Sequence, residues 1–174
     1  AGVAMLTIED TELPKAFGTV GTTKLISVEE GVGKMRAALD GRQDPLLVVA
    51  GRSSAAGVNG IEDAIKRTKA YEEAGVDCMF LAGIETRSEV EAISAEVSIP
   101  LMLGSTPDEI RDLDFLGSQR VRFALQGHKP IMASIKATFE TLKQLRNGVD
   151  PKDLDGASAE LLAKFTCADN FKRL

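Results

Sequence analysis

No stretch of the sequence is long and apolar enough to cross a bilayer. Charges or glycines interrupt every hydrophobic run well short of the roughly 20 residues a span requires. Runs of basic residues are also missing and the net charge is −5, which argues against a nucleic-acid surface. Cysteine is scarce. Cys78 and Cys167 lie far apart, in no metal-ligand spacing, and Cys78 sits within an apolar run as a small core residue. Nothing demands an oxidising compartment, so a cytoplasmic setting is the default expectation. Gly18, Gly21, Gly31 and Gly33 form no phosphate-cradling fingerprint, because none follows a strand at the needed spacing. Histidine occurs once, as His128. There is no lysine-led apolar leader, low-complexity segment or obvious linker. The chain opens on Ala1, two residues before an apolar run and with no element ahead of it, which reads as the C-terminal part of a longer protein.

What is present is ordinary for a globular chain: 174 residues, 44% hydrophobic and 27% charged, enough for a single domain, 1–174, with a sizeable core. Its organising stretch is Val3-Ala4-Met5-Leu6-Thr7-Ile8-Glu9-Asp10-Thr11. Such a run predicts a strand buried on both faces, ending in two acids. Ligands bind at the carboxyl ends of parallel strands, and carboxylates there suit a divalent metal that takes oxygen ligands. The plain alternative is that Glu9 caps the next turn and Asp10 is solvated.

The rest repeats one unit. A loop rich in Gly and Thr, 13–23, is long enough to move over a site. Ser27 with Glu30 forms a capping box for a helix whose apolar face is Val32, Met35 and Leu39. Pro45 to Gly51 predicts a second strand finishing in Arg52-Ser53-Ser54, and residues 55–60 a loop. A helix follows with Ile61, Ala64, Ile65, Thr68 and Tyr71 on one face, Gly75 at its C′ position, and Glu72 and Glu73 on a solvated face. A strand over 76–83 precedes a helix capped by Thr86 and Glu89 and lined by Val90, Ile93 and Val97. A strand over 99–104 leads to Thr106-Pro107-Asp108-Glu109, a predicted helix start. The fifth strand, 120–125, carries Arg120 and Arg122 and reads as less enclosed. Gln126-Gly127-His128 opens the longest helix, with Ile131, Ile135, Phe139, Leu142 and Leu145 facing inward.

Five strands alternating with helices predict a parallel sheet with right-handed crossovers. An open doubly wound sheet fits this length, whereas a complete (β/α)8 barrel needs about 250 residues. Pattern alone favours the open sheet.

Several motifs in register resemble the isocitrate lyase/phosphoenolpyruvate mutase superfamily, over roughly residues 1 to 170. They are the opening stretch with Leu13-Pro14-Lys15, Ser27 to Gly31 with Lys34 to Ala38, and Ala50 to Ala55. Arg67 to Tyr71 with Glu73 to Asp77, and Ile99 to Met102, complete the series. The resemblance implies a partial (β/α)8 barrel, its fourth to eighth strands, in which Mg2+ holds a 2-oxo or 2-hydroxy acid. By that likeness Glu9 holds the metal through water and Arg52 grips a substrate carboxylate.

Isocitrate and methylisocitrate lyases carry a cysteine in the loop after this strand. Here the run is Lys15-Ala16-Phe17-Gly18-Thr19, and Phe17 can act as neither acid nor base. The Leu-Pro-x-x-Phe-Gly form, with Gln126-Gly127-His128 and Ile135-Lys136-Ala137-Thr138, is similar to the oxaloacetate decarboxylase branch, where the matching histidine belongs to the active site. That branch has a tyrosine after the seventh strand where this chain offers Ser105 and Thr106. The first three strands, with the paired aspartates that ligate the metal directly, have no counterpart in this sequence.

The implied activity is magnesium-dependent decarboxylation or lysis of a small 2-oxo dicarboxylic acid such as oxaloacetate, through a metal-stabilised enolate. Catalytic His128, substrate-binding Arg52 and Ser105, and metal-associated Glu9 would carry it. His128 read on its own is more simply a cap or a solvated residue. The alternatives are a non-catalytic binding protein that keeps the fold without the metal pair, and a carbon–carbon lyase acting on a methylated malate. The resemblance also implies a homo-oligomer with exchanged terminal helices.

Overall fold

The computed structural model describes residues 2–14, 23–127 and 129–166. They fall into two compact units, Ala1–Gly127 and His128–Leu174.

The first unit is one parallel sheet of five strands: β1 (Met5–Glu9), β2 (Val48–Ser53), β3 (Cys78–Leu81), β4 (Leu101–Leu103) and β5 (Val121–Ala124). The strands lie in the sheet in their order along the chain. A doubly wound sheet would reverse its winding part-way across. This sheet never reverses, so successive right-handed crossovers stack the helices on one face, as in a barrel wall. The open-sheet alternative is therefore corrected by strand order.

The crossovers run through α1 (Val28–Asp40), the short α2 (Ala55–Val58), α3 (Ile61–Ala74), α4 (Arg87–Glu96) and α5 (Leu113–Ser118). Ser27 Oγ accepts from the Glu30 amide at 3.1 Å and so starts α1. At α4 both halves of the Thr86–Glu89 capping box form. Gly75 ends α3 at φ 102°, a left-handed conformation that a side chain would strain. Met35, Ala64, Tyr71, Met79, Leu81, Val90, Ile93, Leu101 and Leu103 interlock as the core between helices and sheet. Cys78 is buried, as its apolar setting predicts.

Several local expectations change. β1 is half-buried along its whole length rather than enclosed on both faces, because it is an edge strand among the described residues. Residues 55–58, read as loop, make a helical turn. The helix expected at Pro107 is only a 3-10 turn, Asp108–Ile110, and α5 begins at Leu113. Asp112 sets that start, since its carboxylate accepts from the amides of Asp114 and Phe115 at 3.0 and 3.1 Å. Of the loop predicted over 13–23, residues 15–22 lie outside the described residues. Its two ends are joined by an antiparallel bridge between Thr11 and Leu25.

The second unit contains α6 (Lys129–Arg146) and α7 (Ala159–Phe165). The stripe Ile131, Ile135, Phe139, Leu142 and Leu145, predicted to face inward, is 38–62% exposed. No residue of α6 or α7 is buried, because two helices alone cannot enclose such a stripe. Among the described residues no helix is long and apolar enough to cross a membrane.

Candidate active site at the carboxyl ends of the first strands

β1 and β2 pair so that Glu9 stands opposite Arg52. The next residue of each strand points to the other face, because side chains alternate along a strand. The two strand ends therefore present two layers, one of Glu9 and Arg52 and one of Asp10 and Ser53.

In the first layer Glu9 Oε1 accepts from the Thr11 hydroxyl at 2.7 Å. Arg52 Nη2 lies 3.6 Å from the same oxygen, and both side chains keep about a third of their surface, 28% for Glu9 and 36% for Arg52. At that distance the pair is an ion contact rather than a tight hydrogen bond. A partly hydrated pair of this kind contributes at most about 1 kcal/mol. The guanidinium is therefore free to exchange Glu9 for a ligand carboxylate at little cost. Its Nε is buried without a partner among the described residues, and its guanidinium carbon lies over the Phe80 ring, 5.0 Å from the ring centroid. From α1, Lys34 Nζ donates to the Glu9 backbone carbonyl at 2.5 Å.

The second layer corrects the solvated reading of Asp10, which is completely buried. Asp10 Oδ2 accepts from Ser53 Oγ at 2.8 Å, Tyr71 OH at 3.0 Å and Arg67 Nη1 at 3.1 Å. Arg67 also donates to the Ile26 carbonyl at 3.0 Å and to Asp63 Oδ2 at 2.8 Å. The Asp10 amide donates to the Arg52 carbonyl at 3.1 Å, and its own carbonyl accepts from Ile26 at 2.9 Å. One buried carboxylate thus ties both strand ends to α3 and to the segment entering α1.

Burial and the adjacent Asp10 charge push the Tyr71 hydroxyl well above its ordinary range, so it stays a neutral donor. Burial opposes ionisation of Asp63, but hydrogen bonds from Asn59 and Arg67 outweigh it and hold the carboxyl below its usual value. α1 carries Gly31 where it passes Tyr71, because a Cβ there would collide with the phenol oxygen.

Ser105 is exposed in the turn after β4. Its neighbour Thr106 is buried, its hydroxyl accepting from Gln126 Nε2 at 3.1 Å and its carbonyl from Arg111. His128 lies outside the described residues. Arg67, Tyr71 and Phe80 were not foreseen as parts of the site. The four-residue spacing of Asp63, Arg67 and Tyr71 was the available signal, since it puts an acid, a base and a phenol on one helix face.

Magnesium takes about six oxygen ligands in near-octahedral geometry and keeps several waters. Among the described residues no group of three His, Cys, Asp or Glu side chains converges on a point that could hold a metal ion. Glu9 offers a single carboxylate, with one oxygen already engaged by Thr11. It fits a contact through metal-bound water and does not make a magnesium site unaided.

A parallel sheet whose strands follow one another in chain order, with a helix between each pair, defines a class, the β/α-barrel folds. The chain belongs within it to the phosphoenolpyruvate phosphomutase family, whose model matches residues 1–143. It is 54% identical over 165 residues to an oxaloacetate decarboxylase of Bradyrhizobium diazoefficiens, covering 94% of this chain and 57% of the relative. It resembles the crystal structure of a 2,3-dimethylmalate lyase with a TM-score of 0.81 and 25% identity, covering 99% of this chain and 59% of that one. A phosphonopyruvate hydrolase structure, a complex with oxalate and Mg2+, matches with a TM-score of 0.78 and 25% identity over 99% of this chain and 62% of that one. The chain therefore spans about three-fifths of the proteins it matches.

Proposed function

We propose that this chain carries part of the active site of a magnesium-dependent lyase that decarboxylates oxaloacetate, acting in the cytoplasm as a homo-oligomer. The observation that carries the proposal is the Glu9–Arg52 pair, held side by side by parallel register at the carboxyl edge of the sheet. The identity to a relative named oxaloacetate decarboxylase supports the choice of substrate.

In the reaction the bond between C3 and the C4 carboxylate breaks. Carbon dioxide leaves, the electron pair stays on the remaining fragment, and a proton delivered to C3 gives pyruvate. Magnesium, when bound, supplies positive charge where that electron pair accumulates. Arg52 binds a substrate carboxylate with two parallel N–H donors, for which its planar fork is suited. Glu9 would help hold the metal through water, and the Thr11 hydroxyl fixes the carboxylate's position. Ser105 offers a hydroxyl from the turn after β4. His128 would orient substrate or hand on the proton, since imidazole exchanges protons near neutrality.

The test is pyruvate release from oxaloacetate with and without Mg2+, in the wild type and in Arg52→Lys. Loss of one charge-assisted hydrogen bond predicts a fall in kcat/KM of about 10- to 100-fold for Arg52→Lys. An unchanged kcat/KM would overturn the role of Arg52.

A second reading, a binding protein without catalysis, is favoured by the lack of three converging metal-ligating side chains among the described residues. Calorimetric titration with Mg2+ separates the two, since catalysis requires saturable binding. A third, carbon–carbon cleavage of a methylated malate, is supported by the likeness to 2,3-dimethylmalate lyase. Assaying both substrates side by side distinguishes it from decarboxylation.

A further inference from the structure

Arg52 has one unusual feature: its guanidinium is placed with almost no hydrogen bonding among the described residues. Its Nε has no partner among the described residues, and its contact with Glu9 is 3.6 Å long. An arginine side chain has about 2 kcal/mol of rotamer entropy to lose on being fixed, so something other than these polar contacts must hold it. The ring of Phe80 lies 5.0 Å beneath the guanidinium carbon. Phe80 is the register partner of Arg52 across β2 and β3, so the backbone ladder places the two side chains together on the same face as Glu9.

The ring is itself located from the far side. A Cβ on Gly104, at the end of β4, would come within 3.0 Å of Phe80 Cε2 and 3.5 Å of Cζ. The missing side chain at Gly104 therefore leaves the space the ring occupies. A flat ring under a flat cation attracts the cation and leaves all of its N–H edges free. A carboxylate partner in the same place would consume the donors that a substrate needs.

We propose that Phe80 is a positioning residue for Arg52, a shelf that holds the guanidinium flat with its donor edge open to a carboxylate, and that Gly104 makes room for that shelf. This inference rests on the reading of Arg52 as the substrate-carboxylate clamp.

Two readouts keep the inference separate from that reading. The first is the side-chain Nε–H resonance of Arg52 by NMR in the ligand-free chain, assigned by its loss in Arg52→Lys. A proton above a ring face is shifted upfield, so the resonance should sit upfield in the wild type and in Phe80→Tyr. It should return downfield in Phe80→Leu and in Phe80→Met, which keeps bulk without a ring and serves if the leucine variant folds poorly. An unshifted wild-type resonance overturns the proposal whatever the activity.

The second readout is steady-state turnover of oxaloacetate with Mg2+. Loss of the cation–π contact should raise KM about three- to tenfold in Phe80→Leu or Phe80→Met, with kcat within about twofold, and Phe80→Tyr should restore it. If Arg52→Ala raises KM while the Phe80 variants leave it unchanged, the positioning role is wrong. If Arg52→Ala leaves KM unchanged, the clamp reading fails, and the positioning role for substrate fails with it even where the upfield resonance stands.

Discussion

Asp10 shows how far one buried charge can organise a site. Its carboxylate is fully enclosed with Arg67, which is itself only 5% exposed, and Ser53 and Tyr71 complete the set of donors around it. Removing the Asp10 charge leaves the buried Arg67 guanidinium with Asp63 as its remaining acidic partner among the described residues, a larger effect than loss of a solvated pair. Asp10→Asn, which keeps the volume and removes the charge, should cost about 3 kcal/mol in urea unfolding. Asp150→Asn breaks the exposed pair with Lys152 and should leave the urea midpoint unchanged. Equal midpoints for the two variants would show that the Asp10 network does not hold the strand ends.

Between elements, the connection from α4 into β4 depends on a single acid. Glu72, near the end of α3, accepts from Ser98 N at 2.8 Å, from Ser98 Oγ at 2.5 Å and from Ile99 N at 3.2 Å. The expectation of a solvated Glu72 is therefore corrected, because residues 98–99 have amides that no strand partner takes up. Burial raises the Glu72 pKa, but the Ser98 and Ile99 hydrogen bonds outweigh it, and the folded value lies below the ordinary one. A carboxyl lowered on folding stabilises the fold above its unfolded value, about 4.3. That contribution disappears as pH falls through the lowered folded value. Glu72→Gln should accordingly lower Tm at pH 7, and the gap from wild type should close below about pH 4. A gap that persists at low pH would mean that shape, not charge, is what Glu72 contributes.

For the molecule as a whole, two features of its separate units favour association. The outer edges of β1 and β5 have no strand partner among the described residues, and unpaired edges invite pairing with another chain. The stripe on α6 and Leu161, Leu162 and Phe165 on α7 are exposed apolar side chains of the kind that mark an association surface when contiguous. Light scattering of the purified chain should therefore give a mass above the 18.6 kDa of one copy. A monodisperse species at that mass would overturn this prediction.

Much of this was legible in the residues themselves. Apolar runs, Ser27 and Thr86 as caps, and Gly75 as a helix stop are local chemistry, and the elements they specify formed near their predicted places. The motif series around Glu9 and Arg52 pointed to the family before any contact was known. Boundaries were less secure where two caps compete, as Asp112 over Pro107 shows. Strand order, the burial of Asp10 beneath Ser53, Arg67 and Tyr71, and the stacking of Arg52 on Phe80 were decided only by the tertiary structure. Local propensity and periodicity act within a few residues, whereas Asp10 and Tyr71 are 61 residues apart. A carboxylate that reads as solvated in the chain becomes buried only when the packing of distant elements brings its donors to it.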